Sequence, residues 1–429
     1  MRKRGVNFGL IFLSANALIT ANLCAEVSFT FTRVADTNDG YMSFGPMPVR
    51  DNFWTTFSAT LPNGDEVVVV KSTASAKTFV VAPAGSGFEL DPRIDAQNGI
   101  AYWVRRSPSA HQIQRSNGTS SLFTLVDTTT SGFSEIIGPP VQFFGDDEVT
   151  FAAELDSGGS GVFRRTFNGG IITIIDSSGS FASFGPSVRP AHYPAVGALF
   201  SGELDAGGKA VATATSVGAL LIVADTDGRI ADFVGELDIK DGIVAYIANL
   251  DDGGHAVYAD SDPIIDSSGP FESFEAACYR QNWFLHLAFL ATTDEGGRGL
   301  FYYNHLAKHL YPIIQVGDAL DGSIVTDLAS SSDRDSLGTV FRATLADGRS
   351  GIYLADFVCG QGQCFGDFVG CIGSNSVDVD ELIQVIQAWG RCPSDPHACP
   401  ADLSPEGGDG VVNVDDLLEL IAHWGPCPE

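Results

Sequence analysis

The stretch VTFAAELDSGGSGVFRRTFNGGIITIID, residues 149–176, runs twice from β-branched and aromatic alternation into a Gly-rich turn. Asp and Gly pairs after such runs are hairpin signals, so it reads as strand, turn, strand, turn, strand. The pattern recurs. Turns after an apolar run stand at LPNGD (61–65), LDSGG (155–159), LDAGG (204–208), LDDGG (250–254), TDEGG (293–297) and LADGR (345–349). Their starts lie 94, 49, 46, 43 and 52 residues apart. The first gap is twice about 47, which places a degenerate unit near SPSAHQ (107–112) and brings the total to seven. A second marker keeps the same phase, at VADTNDG (34–40), VDTTTSG (126–132), IDSSGS (175–180), VADTDG (223–228), IDSSGP (265–270) and VGDALDG (316–322). VAPAGSG (81–87) stands in for the missing unit.

Seven four-stranded units of this length predict a mainly β chain folded as a seven-bladed β-propeller over residues 26–357. A β-solenoid is the alternative, although its rungs are usually shorter. SFTFTRV (28–34) has the phase of a unit's last strand arriving before any first strand. It is expected to complete the blade that ends in GIYLADF (351–357) and so close the ring. The hairpin aspartates Asp156, Asp205, Asp251 and Asp294 are expected to cap backbone N–H groups, with calcium on the blade turns as the other reading. The repeats DGIVAYIANLDDGGHAVY (241–258), DDEVTFAAELDSGGSGVF (146–163) and LGTVFRATLADGRSGIY (337–353) resemble the tandem N-x-x-G-x-x-A-F repeats of secreted bacterial proteins. That resemblance covers residues 28–357 and implies an exported propeller-like module.

The tail, residues 358–429, is a duplication of its own. CFGDFVGCIGSNSVDVDELIQVIQAWGRC (364–392) and CPADLSPEGGDGVVNVDDLLELIAHWGPC (399–427) align without a gap. In each, oxygen-bearing residues crowd a loop that opens a helix, which is the chemistry a hard cation such as Ca²⁺ asks for. The second loop offers Asp402, Asp409, the Val411 carbonyl, Asn413 and Asp416, with Gly410 at the sharp turn. The first offers Asp367, Ser374, the Ser376 carbonyl, Asp378 and Glu381. The other reading is an acidic first turn that caps its helix. Leu382, Ile383, Ile386 and Trp389 form one apolar stripe, and Leu417, Leu418, Ile421 and Trp424 form another; Gly390 and Gly425 stop the helices. Helices of two turns need a partner, so the two copies are expected to pack together.

This tail resembles the type I dockerin family of duplicated EF-hand-like calcium modules, in the variant ending AWG-x-C found in planctomycete-like secreted proteins. The resemblance implies a small α-helical calcium-loop domain and a docking partner, cohesin-like or other, on the cell surface or outside the cell. From Asp402 to Asp416, and from Asp367 to Glu381, each loop runs three residues longer than the usual twelve.

Composition agrees with export. The chain carries 24 basic and 53 acidic residues, a net −29 over 429 residues, which excludes nucleic acid and anionic membrane as partners. MRKR followed by GLIFLSANALITANL and LCA reads as a signal peptide over residues 1–25, with no membrane span in the mature chain. No H-E-x-x-H, G-x-S-x-G, P-loop or dinucleotide fingerprint occurs. The expected function is a secreted or cell-surface, non-catalytic binding and attachment protein, with a glycan as a candidate ligand of the propeller. The alternative is a polysaccharide-degrading enzyme of glycoside hydrolase type, tethered through its tail. Six of the eight cysteines fall between Cys359 and Cys427, the clustering of disulfides in an exported chain. Equal spacing in the two copies predicts Cys364–Cys392 and Cys399–Cys427, and peptide mapping without reduction should recover those pairs. Any other partners for these four cysteines contradict the alignment.

Overall fold

Seven antiparallel sheets of four principal strands follow one another along the larger of two compact units, Ser28–Cys359. They form a seven-bladed β-propeller. The computed structural model describes residues 28–51, 54–72, 77–83, 89–97, 100–116, 122–142, 147–191, 197–215, 218–240, 243–280, 286–304, 309–330, 338–358, 376–377, 379–392, 401–404 and 409–426. The leader expected over residues 1–25 lies outside these.

Within a blade the strands pair in chain order, here called a to d. Blade 4 shows the plan, with Phe181–Ala191, Gly197–Leu204, Lys209–Thr215 and Leu220–Asp225. Strands a of blades 4, 5 and 6 adjoin one another, while strand d of blade 4 leaves Leu221 exposed. Strands a therefore lie toward the axis and strands d at the rim. The first sequence marker falls on the b–c hairpins and the second on the links between blades. The worn unit is real: Ile100–Ser107 pairs with Ala110–Ser116 across the tight turn at Ser107–Ala110.

Each sheet is apolar on both faces because each is sandwiched between two others. In strand b of blade 5 (Ile243–Leu250), Val244 and Tyr246 pack on blade 4, while Ala245 and Ile247 pack on blade 6. One large ring per strand b anchors this packing. Phe57, Trp103, Phe151, Phe200, Tyr246, Phe289 and Phe341 all hold that position and are at most 1% exposed. The G-V-F and G-I-Y steps on strands c of blades 3 and 7 have a steric cause. Gly161 and Gly351 precede an aromatic by two residues on the same strand face, and the ring folds back over the glycine. A Cβ there would meet the Phe163 ring at 2.8 Å or the Tyr353 ring at 2.8 Å.

The ring closes as its phase implies. Ser28–Asp36 pairs antiparallel with Ser350–Val358 in the register Phe29↔Phe357 and Phe31↔Ala355, supplying strand d of blade 7. Val34, Ala35 and Leu354 of that blade share one core with Phe44, Phe57 and Val69 of blade 1. Charge reinforces the seam. The fully buried Asp36 lies 3.1 Å from the Arg33 guanidinium and 3.4 Å from that of Arg349, and Asp321 sits 2.7 Å from Arg349. The Lys71 ammonium of blade 1 donates to the Val34 carbonyl.

The turn aspartates divide differently from the expectation. Asp156, Asp205 and Asp251 contribute backbone N–H groups, to the carbonyls of Gly132, Ser180 and Arg229 at 3.0–3.1 Å. Among the described residues their carboxylates cap nothing. Capping carboxylates close strands d, where Asp127, Asp176, Asp225 and Asp266 accept N–H from the second residue onward at 2.9–3.1 Å, and stand at the third position of two b–c turns, where Asp252 accepts from Gly254 at 3.0 Å and Asp347 from Arg349 at 3.1 Å. The second turn position spends its N–H on a carbonyl of the preceding link, and the carboxylate that caps within the turn stands one residue later.

Two outcomes follow from this packing. Phe200→Ala should cost about 3–5 kcal/mol, because the cavity cannot collapse between two sheets, while Leu221→Ala at the rim stays within about 0.5 kcal/mol in urea melts. Hydrogen bonds from the Ser268 hydroxyl and N–H hold Asp266 below the ordinary carboxylate range. A lowered folded pKa contributes stability above the unfolded value of about 3.9, and that contribution is lost as pH falls through the folded one. Asp266→Ala should therefore melt below the parent at pH 7, with the gap narrowing as the pH falls below the unfolded carboxylate value of about 3.9.

Candidate functional site

The second compact unit takes in Gly360–Glu429 and carries the duplicated loops. Two nine-residue helices are described, α1 (Val379–Gln387) and α2 (Val414–Ala422). Short strands tie the copies reciprocally. Val377 before α1 pairs with Gly425 after α2, and Gly390 after α1 pairs with Val412 before α2. Gly390 and Gly425 take the matching positive φ values of 118° and 116° three residues beyond the helix ends, where each copy turns into its short strand. Neither copy completes its own strand pair, which gives the duplication its physical reason.

The apolar stripes split in a way the sequence reading did not foresee. Leu382 and Leu417 do turn inward, but the shared core is completed by Val385 and Leu420, both fully buried, with Val377, Val412 and Leu403. Ile383, Ile386 and Trp389 face solvent, as do Leu418, Ile421 and Trp424. Val379 and Val414 extend the two outward rows. Each helix is thus apolar on two sides, and only one side is used within the unit. The inward rows step i, i+3 from Leu382 to Val385 and from Leu417 to Leu420, but the outward rows step alike from Ile383 to Ile386 and from Leu418 to Ile421, so spacing does not select the inward side.

In the second loop all five candidate ligands are described. Asp416 is fully buried; one oxygen accepts N–H from Leu403 and Ser404 at 2.6 and 2.8 Å, the other from Asn413 at 2.7 Å. Asn413 caps α2 by accepting from Asp415 N–H at 2.7 Å, so Asn413 and Asp416 form a reciprocal capping box. Asp402 accepts from the N–H groups of Asp409 and Gly410 at 3.0 and 2.8 Å, and Asp409 from Val411 at 2.9 Å. The Val411 carbonyl takes the Asn413 amide at 3.2 Å. Gly410 holds φ 84°, as the tight turn requires. The donor set is oxygen throughout, which fits a hard cation. Among the described residues, though, no three acidic, His or Cys side chains converge in metal-holding geometry.

In the first loop Glu381, the counterpart of Asp416, is likewise buried at 1% exposure. Asp367, Ser374 and Asp378 lie outside the described residues, and Ser376 is described only as backbone, in a short strand. Cys392 is in a disulfide.

No protein-family model and no curated protein matches this chain. Solved structures of similar shape include the WD40 β-propeller domain of Doa1, at 12% identity and TM-score 0.43, covering 76% of this chain and 97% of that one. A prolyl endopeptidase aligns at 11% identity and TM-score 0.48, covering 78% of this chain and 50% of its own. The BP39L lectin from Burkholderia pseudomallei aligns at 11% identity and TM-score 0.44, covering 77% and 96%. Likenesses this loose carry no inference about what the chain binds.

The loop geometry ranks its own side chains. Asp416→Ala strands three backbone donors and should cost at least about 2 kcal/mol of tail stability. Asn413→Ala removes one cap for about 1 kcal/mol, and Asp409→Ala, at the exposed end, costs less. Thermal melts of the three variants that fail to fall in this order contradict the assignment.

Proposed function

We propose that this is a secreted or cell-surface attachment protein whose propeller recognises a ligand and whose tail docks onto an extracellular partner. One observation carries the reading. The tail presents two equivalent outward rows, Val379, Ile383, Ile386 and Trp389 on one helix and Val414, Leu418, Ile421 and Trp424 on the other, all between 43% and 59% exposed. Such rows on a unit with so small a core are costly to leave in water, and they suit burial in a partner's groove. A protein face is the fitting occupant, since the surrounding charge repels an anionic membrane.

Calcium enters as part of this proposal. Asp402, Asp409, the Val411 carbonyl, Asn413 and Asp416 would hold the ion in the second loop, and Asp367, Ser374, the Ser376 carbonyl, Asp378 and Glu381 in the first. The ion would neutralise carboxylates that otherwise repel one another across a short loop and would fix the N-termini of α1 and α2. The disulfides Cys364–Cys392 and Cys399–Cys427 would hold each loop's start to its helix's end. The tail then offers its apolar rows only when loaded, while the propeller folds regardless.

Fractionation of producing cells tests this directly. The parent protein should remain with the cell surface and be released by a calcium chelator. Ile386→Asp combined with Ile421→Asp should be released without chelator, with the propeller's melting transition unchanged. Retention of that double variant contradicts the reading.

A further inference from the structure

Between blades 4 and 5 lies an open groove of about 370 Å³. Tyr246 and Tyr258 stack there with centroids 5.1 Å apart and planes 4° from parallel. Blades 3 and 6 fill the same cross-strand pair with Phe151 and Phe163, and with Phe289 and Phe301. Packing therefore does not need the two hydroxyls. One is absorbed by the fold, since Tyr246 donates to the Asp260 carbonyl at 2.7 Å, on a hairpin residue held at φ 51°. The other is not. Tyr258 is only 5% exposed, lines the groove, and among the described residues its hydroxyl has no hydrogen-bond partner. Burial raises its pKa, so it remains a neutral phenol able both to donate and to accept.

Around it stand complementary groups. The Arg229 guanidinium lines the groove and is loosely held, 3.9 Å from an exposed Asp252 carboxylate. Asp225 uses one oxygen on the Asp227 N–H at 3.1 Å and keeps the other. Ser261 adds a hydroxyl, and Val223, Ile230 and Pro263 provide an apolar floor. An anionic ligand meets Asp225 and a chain of net charge −29, and a cationic one meets Arg229. A neutral polyol meets neither penalty. Its vicinal hydroxyls can accept from the guanidinium and donate to the carboxylate, while the C–H face of a sugar ring covers the apolar floor.

We infer that this groove is a saccharide-binding subsite, sized for one or two neutral pyranose rings, with Tyr258, Arg229 and Asp225 as its polar contacts. The volume is near the lower end of small-ligand sites, about 300–1,000 Å³. The inference rests on the reading of the propeller as the recognition half of the protein and names its ligand class.

Calorimetric titration of the full chain with a panel of neutral mono- and disaccharides tests it. At least one should bind, and Tyr258→Phe should weaken it about fivefold, the loss of one neutral hydrogen bond. Arg229→Ala should weaken it about tenfold, as a charged donor is lost. Tyr353→Phe, at the equivalent position of blade 7, should leave binding unchanged. Because blades 3 and 6 carry Phe at this position, Tyr258→Phe is expected to fold. The inference is overturned if no neutral saccharide binds, or if the Tyr258 and Arg229 variants bind as the parent does. Absence of saccharide binding by a protein that still remains on the cell surface removes the groove alone; binding by a protein that does not remain there removes the attachment reading alone.

Discussion

The pairing of Ser28–Asp36 with Ser350–Val358 is the constraint on which the larger unit depends. A ring of sheets buries each face against a neighbour, so a gap anywhere exposes two apolar faces at once. Residues more than 300 positions apart must meet before blade 7 has an outer strand, and loop-closure entropy makes that meeting the slow part of assembly. The seam is correspondingly reinforced, by strand pairing, by the shared core of blades 7 and 1, and by Arg33 and Arg349 around the buried Asp36. The cost of taking the Asp36 carboxylate out of water offsets much of its attraction to the two guanidiniums.

Elsewhere the ring repeats one solution. A large ring on strand b fills the space toward the preceding blade, and base–acid pairs span several junctions. Lys209 reaches Asp232 of the next blade at 2.8 Å, and Arg189 reaches Glu236 at 2.6 Å. Half-exposed pairs of the first kind contribute little each. They nonetheless engage part of a small set of cations, which leaves an acidic surface. The tail solves its own size problem differently, by exchanging strand pairs between two copies, and in doing so leaves both outer helix faces uncovered.

Much of this was legible in the residues. Turn spacing matched the blade number and the phase of SFTFTRV matched the closure, while Gly390 and Gly425 proved to lie in the short strands beyond the helix ends rather than at them. What stayed hidden depends on geometry between repeats. Asp156 and Asp176 look alike as turn residues, but Asp176 accepts the Ser178 N–H while Asp156 gives its own N–H to the Gly132 carbonyl of the preceding link. Ile386 looks as apolar as Val385, and only the arrangement of two helices decides that Val385 is inside. The groove beside Tyr258 is invisible for the same reason, since Arg229 and Tyr258 approach only when blades 4 and 5 are stacked.

Hydrogen exchange tests the central claim most directly, because it reads the seam residue by residue in the intact chain. If Ser28–Asp36 is an integral strand of blade 7, its inward-bonded amides should exchange only through global opening, at the rate of their partners in Ser350–Val358. Amides of residues 28–36 that exchange as a free terminus, beside a fully protected Ser350–Val358, would contradict closure of the ring by the N-terminal strand.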